Sequence, residues 1–91
     1  MEKAEAIKVW FDEIGDHEYS YDFSGKKIKQ DDYMVDNQVG WVVTFIKPLK
    51  LGGQNNKGNI IIMSYNAWEQ KGDNYPEFTI DHKRYAAYYD V

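Results

Sequence analysis

Cysteine is absent from all 91 residues, which excludes a disulfide framework and any thiolate zinc site. Histidine is scarce. His17 and His82 are too few for a histidine-rich metal centre, and no metal or cofactor is expected from the residue content. No run of eighteen apolar residues occurs, so no membrane span is expected. The charged start, Met1-Glu2-Lys3-Ala4-Glu5, lacks the apolar heart of a secretory leader, and the expected location is the cytoplasm of the producing cell. Cationic charge is also short: 11 Lys and Arg face 15 Asp and Glu, a net charge of −4. A nucleic-acid-binding protein usually carries a basic footprint, because phosphate neutralisation supplies most of its affinity. The nearest approach to one, Lys26-Lys27-Ile28-Lys29, is followed at once by Asp31 and Asp32. The acid is unevenly spread, with seven carboxylates in residues 1–22 against Lys3 and Lys8.

Aromatic residues are plentiful at 16%, eight of them tyrosine and three tryptophan, a content that suits both a core and a binding surface. The length allows one small domain, residues 1–91. Ile7, Trp10, Phe11 and Ile14 recur at helical spacing and predict an amphipathic helix over 3–14, stopped by Gly15. Its other face carries Glu5, Lys8 and Asp12. Tyr19 to Phe23 alternates as a short strand, Ser24-Gly25 turns it, and Lys26-Lys27-Ile28 runs back. Residues 31–40 read as a loop. Val42 to Ile46 is a β-branched and aromatic strand closed by Pro48, and Asn59 to Met63 is its partner across a Gly- and Asn-rich loop. Ser64 is placed to cap a helix reaching Lys71 and ended by Gly72. Phe78 to Ile80 and Tyr85 to Tyr89 predict a last hairpin around Asp81-His82-Lys83. The fold class is therefore α+β: an N-terminal helix, small antiparallel hairpins, and a hairpin-plus-helix unit over about 41–72.

Trp41, Ile46, Pro48, Gly52, Gly53, Asn59, Ile60, Lys71, Gly72 and Asp73 stand at distinctive spacings. In these positions the chain resembles the HNH, or ββα-metal, nucleases of small phage and bacterial type. Those read Trp-x-x-Asp-His-Ile-x-Pro, Gly-Gly, Asn-Ile and a helix ending in Lys-Gly-Asp. Upstream, Asp22-Phe23-Ser24-Gly25-Lys26-Lys27-Ile28 is similar to the Asp-x-x-Gly-Arg-x-Ile segment that precedes the hairpin in that group.

The resemblance implies a metal held by a carboxylate and a later His or Asn, with a histidine as general base toward water. Carried onto this chain, the carboxylate position is Thr44, the base position is Phe45 and the loop-orienting position is Asn59. The last ligand position is Trp68, or Ser64 or Asn66 in a shifted alignment. Only Asn59 is retained. Threonine cannot replace a carboxylate ligand, and phenylalanine takes no proton. Losing a general base alone costs about 10²–10⁴-fold in rate. The residues thus point to a degenerate domain that is not an enzyme. Asp81-His82 spells the missing pair but falls in a turn, and the simplest account of Asn59 is a cap on its loop.

Three functions follow as expectations. The first is a protein-binding pseudo-nuclease, a phage-type anti-defence inhibitor in the manner of an anti-CRISPR. Its acidic residues Asp12, Glu13, Asp16, Glu18, Asp31, Asp32 and Asp36 would meet a nuclease or nucleoprotein complex, unless they are only a solvated face. The second is a nucleic-acid-binding remnant that gathers Lys26, Lys27, Lys29, Lys47, Lys50, Lys57, Lys83 and Arg84 on one face. The third is a metal-dependent nuclease with an atypical site.

Overall fold

The computed structural model describes residues 1–89; residues 90 and 91 of the expected 1–91 domain lie outside the described residues. Helix α1 spans Lys3–Glu13. Hairpin β1 (Tyr19–Tyr21) and β2 (Lys27–Lys29) follows, then β3 (Trp41–Phe45) paired with β4 (Ile60–Ser64), then α2 (Tyr65–Lys71), then β5 (Glu77–Ile80) paired with β6 (Lys83–Ala86). All three sheets are two-stranded and antiparallel. The protein is α+β, with an N-terminal helix and small hairpins as predicted, and no helix among the described residues is long and apolar enough to cross a membrane.

The β3–β4 hairpin is the middle of the molecule. Its register pairs Val42 with Met63 and Thr44 with Ile61, so these four leave one face. On that face Val42 and Met63 join Ala67 of α2 and Phe78 and Ile80 of β5 in one apolar cluster, with Ile61, Tyr65 and Trp68 packed against it. Val43 pairs with Ile62 and Trp41 with Ser64, which sends Trp41, Val43 and Ile62 to the other face. There they meet Ala6 and Trp10 of α1 and Ile28 of β2. Trp10 and Trp41 lie tilted against each other, centroids 4.8 Å apart. Each buried indole has its partner: Trp10 Nε1 donates to His17 O and Trp41 Nε1 to Gln30 O. Every buried side-chain nitrogen and oxygen among the described residues is hydrogen-bonded.

Several sequence expectations need correction. Phe11 is 44% exposed, and Ala6, one turn before Trp10, takes its place on the buried stripe. The strand expected from Asn59 begins at Ile60, because Asn59 closes a single 3₁₀ turn, Lys57–Asn59, and is wholly buried there. The return strand of the last hairpin lies at Lys83–Ala86 and not at 85–89. Asp81 and His82 both take positive φ, making a two-residue turn that sets Ile80 opposite Lys83. The loop over 31–40 is partly ordered by a 3₁₀ turn, Gln30–Asp32, and by Met34 N donating to Trp41 O.

One carboxylate ties the layers together. Asp22 follows β1 and is 8% exposed. Its Oδ1 accepts from Ser24 N, Ser24 Oγ and Lys26 N, which fixes the β1–β2 turn. Its Oδ2 accepts from Ser64 N at 2.9 Å, 42 residues away, where β4 becomes α2. Ser64 Oγ in turn caps α2 by accepting from Ala67 N. Replacing Asp22 with Ala leaves four donors without their acceptor, three of them backbone N–H groups and one of these, Ser64 N, buried. Asp22→Ala is expected to lower unfolding stability by about 3 kcal/mol. Urea denaturation of the variant beside the unmodified protein measures it, and a loss under half that would show that water replaces the carboxylate.

Candidate functional site

The groove at the end of the β3–β4 hairpin is where the resemblance places a metal. Thr44, Phe45 and Trp68 all line it, with Pro48, Leu49, Lys50, Gly72 and Asp73, around a volume of about 300 Å³. The structure thus brings together three of the four degenerate positions. Trp68 stands on α2, half-buried, and meets Tyr65 edge to face at 5.3 Å. One carboxylate reaches the groove, Asp73, and it is paired with Lys50. Both ends of that pair are exposed, so its contribution to stability is small. No cluster of three or more His, Cys, Asp or Glu placed to hold a metal ion occurs among the described residues. Asn66, an alternative ligand position, is exposed and accepts from Gln70 Nε2. Ser64, the other alternative, is spent on capping α2.

Asn59 serves the loop between the strands. Its Oδ1 accepts from Lys47 N at 2.9 Å, and its Nδ2 donates to Lys47 O at 3.0 Å and Gln54 O at 2.9 Å. The side chain imitates a strand partner for Lys47 and so closes the loop. Gly53 completes this brace. A Cβ there would lie 1.9 Å from Lys47 O and 2.9 Å from Asn59 Nδ2, so no larger residue fits. Pro48 O accepts from both Leu51 N and Gly53 N. Pro48, Gly53 and Asn59 therefore form one mechanical unit that closes the loop.

The acidic residues divide by position. Asp12 and Glu13 lie exposed at the end of α1, and Asp16 and Glu18 lie exposed in the loop after it. Gln30 N donates to Glu18 O, which sets the 3₁₀ turn carrying Asp31 and Asp32 beside that loop. Lys3 Nζ reaches Asp31 O at 3.5 Å, so the Asp31–Asp32 turn lies toward the start of α1, whereas Asp12 and Glu13 stand at its far end. Asp36 lines a separate hollow of about 530 Å³ with Lys26, Lys27, Asn37, Gln38, Asn66 and Asp81.

Seven of the eight cations, all but Lys57, are engaged. Lys26 pairs with Asp81, Lys50 with Asp73 and Arg84 with Glu77. Lys27 and Lys29 lie over the Tyr19 ring, Lys47 over Tyr75 and Lys83 over Tyr85. The eight are spread over the first hairpin, the last hairpin and the long loop between β3 and β4. Asp81, the first half of the stray Asp-His pair, accepts from Lys26 and Gln70, and these bonds hold its carboxyl below the usual range. Its partner His82 is exposed in the turn. The pair is a clasp between hairpins and α2.

Two residues escaped sequence reasoning as site neighbours, Lys50 and Asp73; the Lys71-Gly72-Asp73 motif was the available signal. Lys71 itself is 3% exposed, donates to Asn74 O and lies over the Phe78 ring. Burial pushes its pKa down from the usual 10.5, against the pull of Asp73.

Two outcomes follow from this arrangement. Asn59→Ala strands the Lys47 and Gln54 backbone groups and is expected to cost about 3 kcal/mol, with faster amide exchange over residues 47–54. Native-state hydrogen exchange checks it; unchanged exchange would remove the brace. For Lys71, the unfolded chain keeps its proton to higher pH than the folded one, so this group makes stability rise as pH climbs toward about 10.5. Tyr33 acts oppositely. Burial and Glu5 raise its pKa above 10.0, so its contribution is lost as pH rises beyond that value. Lys71→Met is expected to flatten the rising part of the stability–pH curve and leave the Tyr33 fall in place; an unchanged curve would show Lys71 to be solvated.

Comparison of the chain with protein-family profiles, with curated proteins and with solved structures gives no match in any of the three.

Proposed function

We propose that this domain works by binding a protein and not by cutting nucleic acid, as a pseudo-nuclease of phage type directed at a host nuclease or another defence complex. The observation that carries this reading is the groove of Thr44, Phe45 and Trp68. Its walls are mainly aromatic and aliphatic, and its one carboxylate is matched by Lys50. A hard cation needs several oxygen ligands, and one neutralised carboxylate beside a threonine is a poor set. No imidazole reaches the groove to take a proton from water. The exposed carboxylates Asp12, Glu13, Asp16 and Glu18 at and after the end of α1, with Asp31 and Asp32 in the turn after β2, support the choice of partner. A negative surface steers a basic protein, such as one that binds nucleic acid, and repels nucleic acid itself.

Plasmid incubation with magnesium or manganese tests the first half. The unmodified protein is expected to leave the plasmid intact; cleavage that survives repurification would overturn the reading. Cleavage gained only by Thr44→Asp, Phe45→His would add support for the nuclease ancestry. Capture of basic nucleases from host extract tests the second half. It is expected to weaken steeply with salt and to fall about tenfold or more when Asp12, Glu13, Asp16 and Glu18 are reversed to Lys together. Tight DNA binding by the unmodified protein would instead favour the nucleic-acid reading.

A further inference from the structure

Strand β4 has an open edge. The bonds flanking the β3–β4 ladder, Ile46 N to Asn59 O and Tyr65 N to Gly40 O, fix its alternation. In an antiparallel pair, successive residues turn their backbone groups toward and away from the partner. Ile61 and Met63 therefore bond to β3, and Ile60, Ile62 and Ser64 turn outward. Ser64 N is stopped by the Asp22 carboxylate. Ile60 and Ile62 have no such plug: among the described residues nothing bonds their outward N–H and C=O groups. The edge opens into a groove of about 300 Å³. Val9 and Glu13 of α1, with Ile14 just after it, line one side, Tyr21 of β1 and Phe23 after it line the other, and Asp22 and Lys57 complete the lining. Those two aromatics are 65% and 43% exposed.

We infer that this edge receives an extended, basic-flanked segment of a partner protein as a short added strand. The inference rests on the binding function proposed above and names its surface. Unpaired backbone donors and acceptors in register are recognised by another backbone in extended form. Walls on two sides admit a single strand and exclude the recessed β4 of a second copy. The Asp22 plug limits the pairing to about three residues and about four backbone hydrogen bonds. Charge selects the flanks. Glu13 and Lys57 both line the groove, and Asp12, Asp16 and Glu18 are exposed around the end of α1 that holds Glu13; these four carboxylates, none with an ion-pair partner among the described residues, outweigh the single lysine. Val9, Ile14 and Ile62 favour an apolar side chain facing α1, so the segment alternates β-branched residues between basic ends.

The probe is a capped heptapeptide, Lys-Thr-Val-Thr-Val-Thr-Lys, titrated into the isotopically labelled protein and followed by amide NMR. Binding is expected to shift the Ile60 and Ile62 amides and slow their exchange, with the Ile61 amide, already bonded to β3, little changed in exchange. N-methylation of the peptide at alternate central residues is expected to weaken binding at least tenfold on one parity and little on the other. This arm leaves the protein untouched. A peptide with Glu at both ends is expected to bind several-fold more weakly, and Glu13→Lys to narrow that difference. Ile62→Pro removes an outward N–H that the β3 ladder does not use, and is expected to abolish peptide binding. Shifts confined to other residues, or equal binding by both N-methylated peptides, would overturn the edge-strand site. So would concentration-dependent dimerisation that Ile62→Pro abolishes, because the edge would then belong to a second copy. If host nuclease capture persists unchanged in Ile62→Pro, the binding function stands and this site falls. If the peptide binds as described but no protein is captured, this site stands and the choice of partner falls.

Discussion

The Asp22 carboxylate is the constraint on which the arrangement of layers depends. Two-stranded sheets are marginal by themselves, and this chain has three of them. Each must be held against something else. The β3–β4 hairpin is held by apolar contact on both faces, with α1 and β2 on one side and α2 and β5 on the other. Apolar contact is non-directional, however, and does not by itself fix where the β1–β2 turn sits. Asp22 does. One oxygen shapes the turn and the other ends β4 at the residue that caps α2. A hydrogen bond to a charged acceptor in a nearly buried place is strong, and losing it strands donors. The same bond blocks the β4 edge at Ser64 and leaves Ile60 and Ile62 open, so the tie that orders the fold also sets the length of the free edge.

The loop between β3 and β4 shows how a motif can persist for mechanical reasons. Gly53 admits no Cβ, Asn59 replaces a missing strand partner for Lys47, and Pro48 accepts the loop's backbone bonds. Gly53 is dictated by the close approach of Lys47 O and Asn59 by its side-chain bonds to the loop, whereas Pro48 gives only a carbonyl that any residue would supply. A chain that needs this loop needs the glycine at 53 and the asparagine at 59. Thr44, Phe45 and Trp68 are under no such demand. Thr44 and Trp68 face an open groove, where the side chain answers to whatever occupies it, and Phe45 borders it from the strand's other face.

This contrast explains what could be read from the sequence. The order of elements was legible because it rests on local signals: the β-branched run at Val42 to Ile46, Ser64 before a short helix, Gly72 after it. Hairpin registers were less so. The last turn was set one residue too wide because Asp81 and His82 adopt positive φ without a glycine to announce it. Phe11 was misjudged because a small residue, Ala6, occupies the closest approach of α1 to the hairpin, and hydrophobicity alone ranks Phe above Ala. The Asp22–Ser64 bond and the dispersal of the lysines over aromatic rings depend on long-range placement, which no spacing rule contains.

The two candidate surfaces belong to different parts of the central hairpin. The groove of Thr44 and Trp68 faces α2, whereas the open edge of β4 borders α1 and the β1–β2 turn. Ile61 points toward α2 while its neighbours Ile60 and Ile62 turn their backbone outward, so the strand between them is shared but the groups are not. A nuclease scaffold needs the α2 side for chemistry and must keep it wet and charged. A scaffold relieved of that demand can fill the α2 side with Trp68, which stiffens the hairpin from behind. A stiff hairpin is a better template for an added strand, because less ordering entropy is lost on binding. Packing of Trp68 against the α2 side and an open β4 edge are therefore compatible, through one strand seen from its two sides.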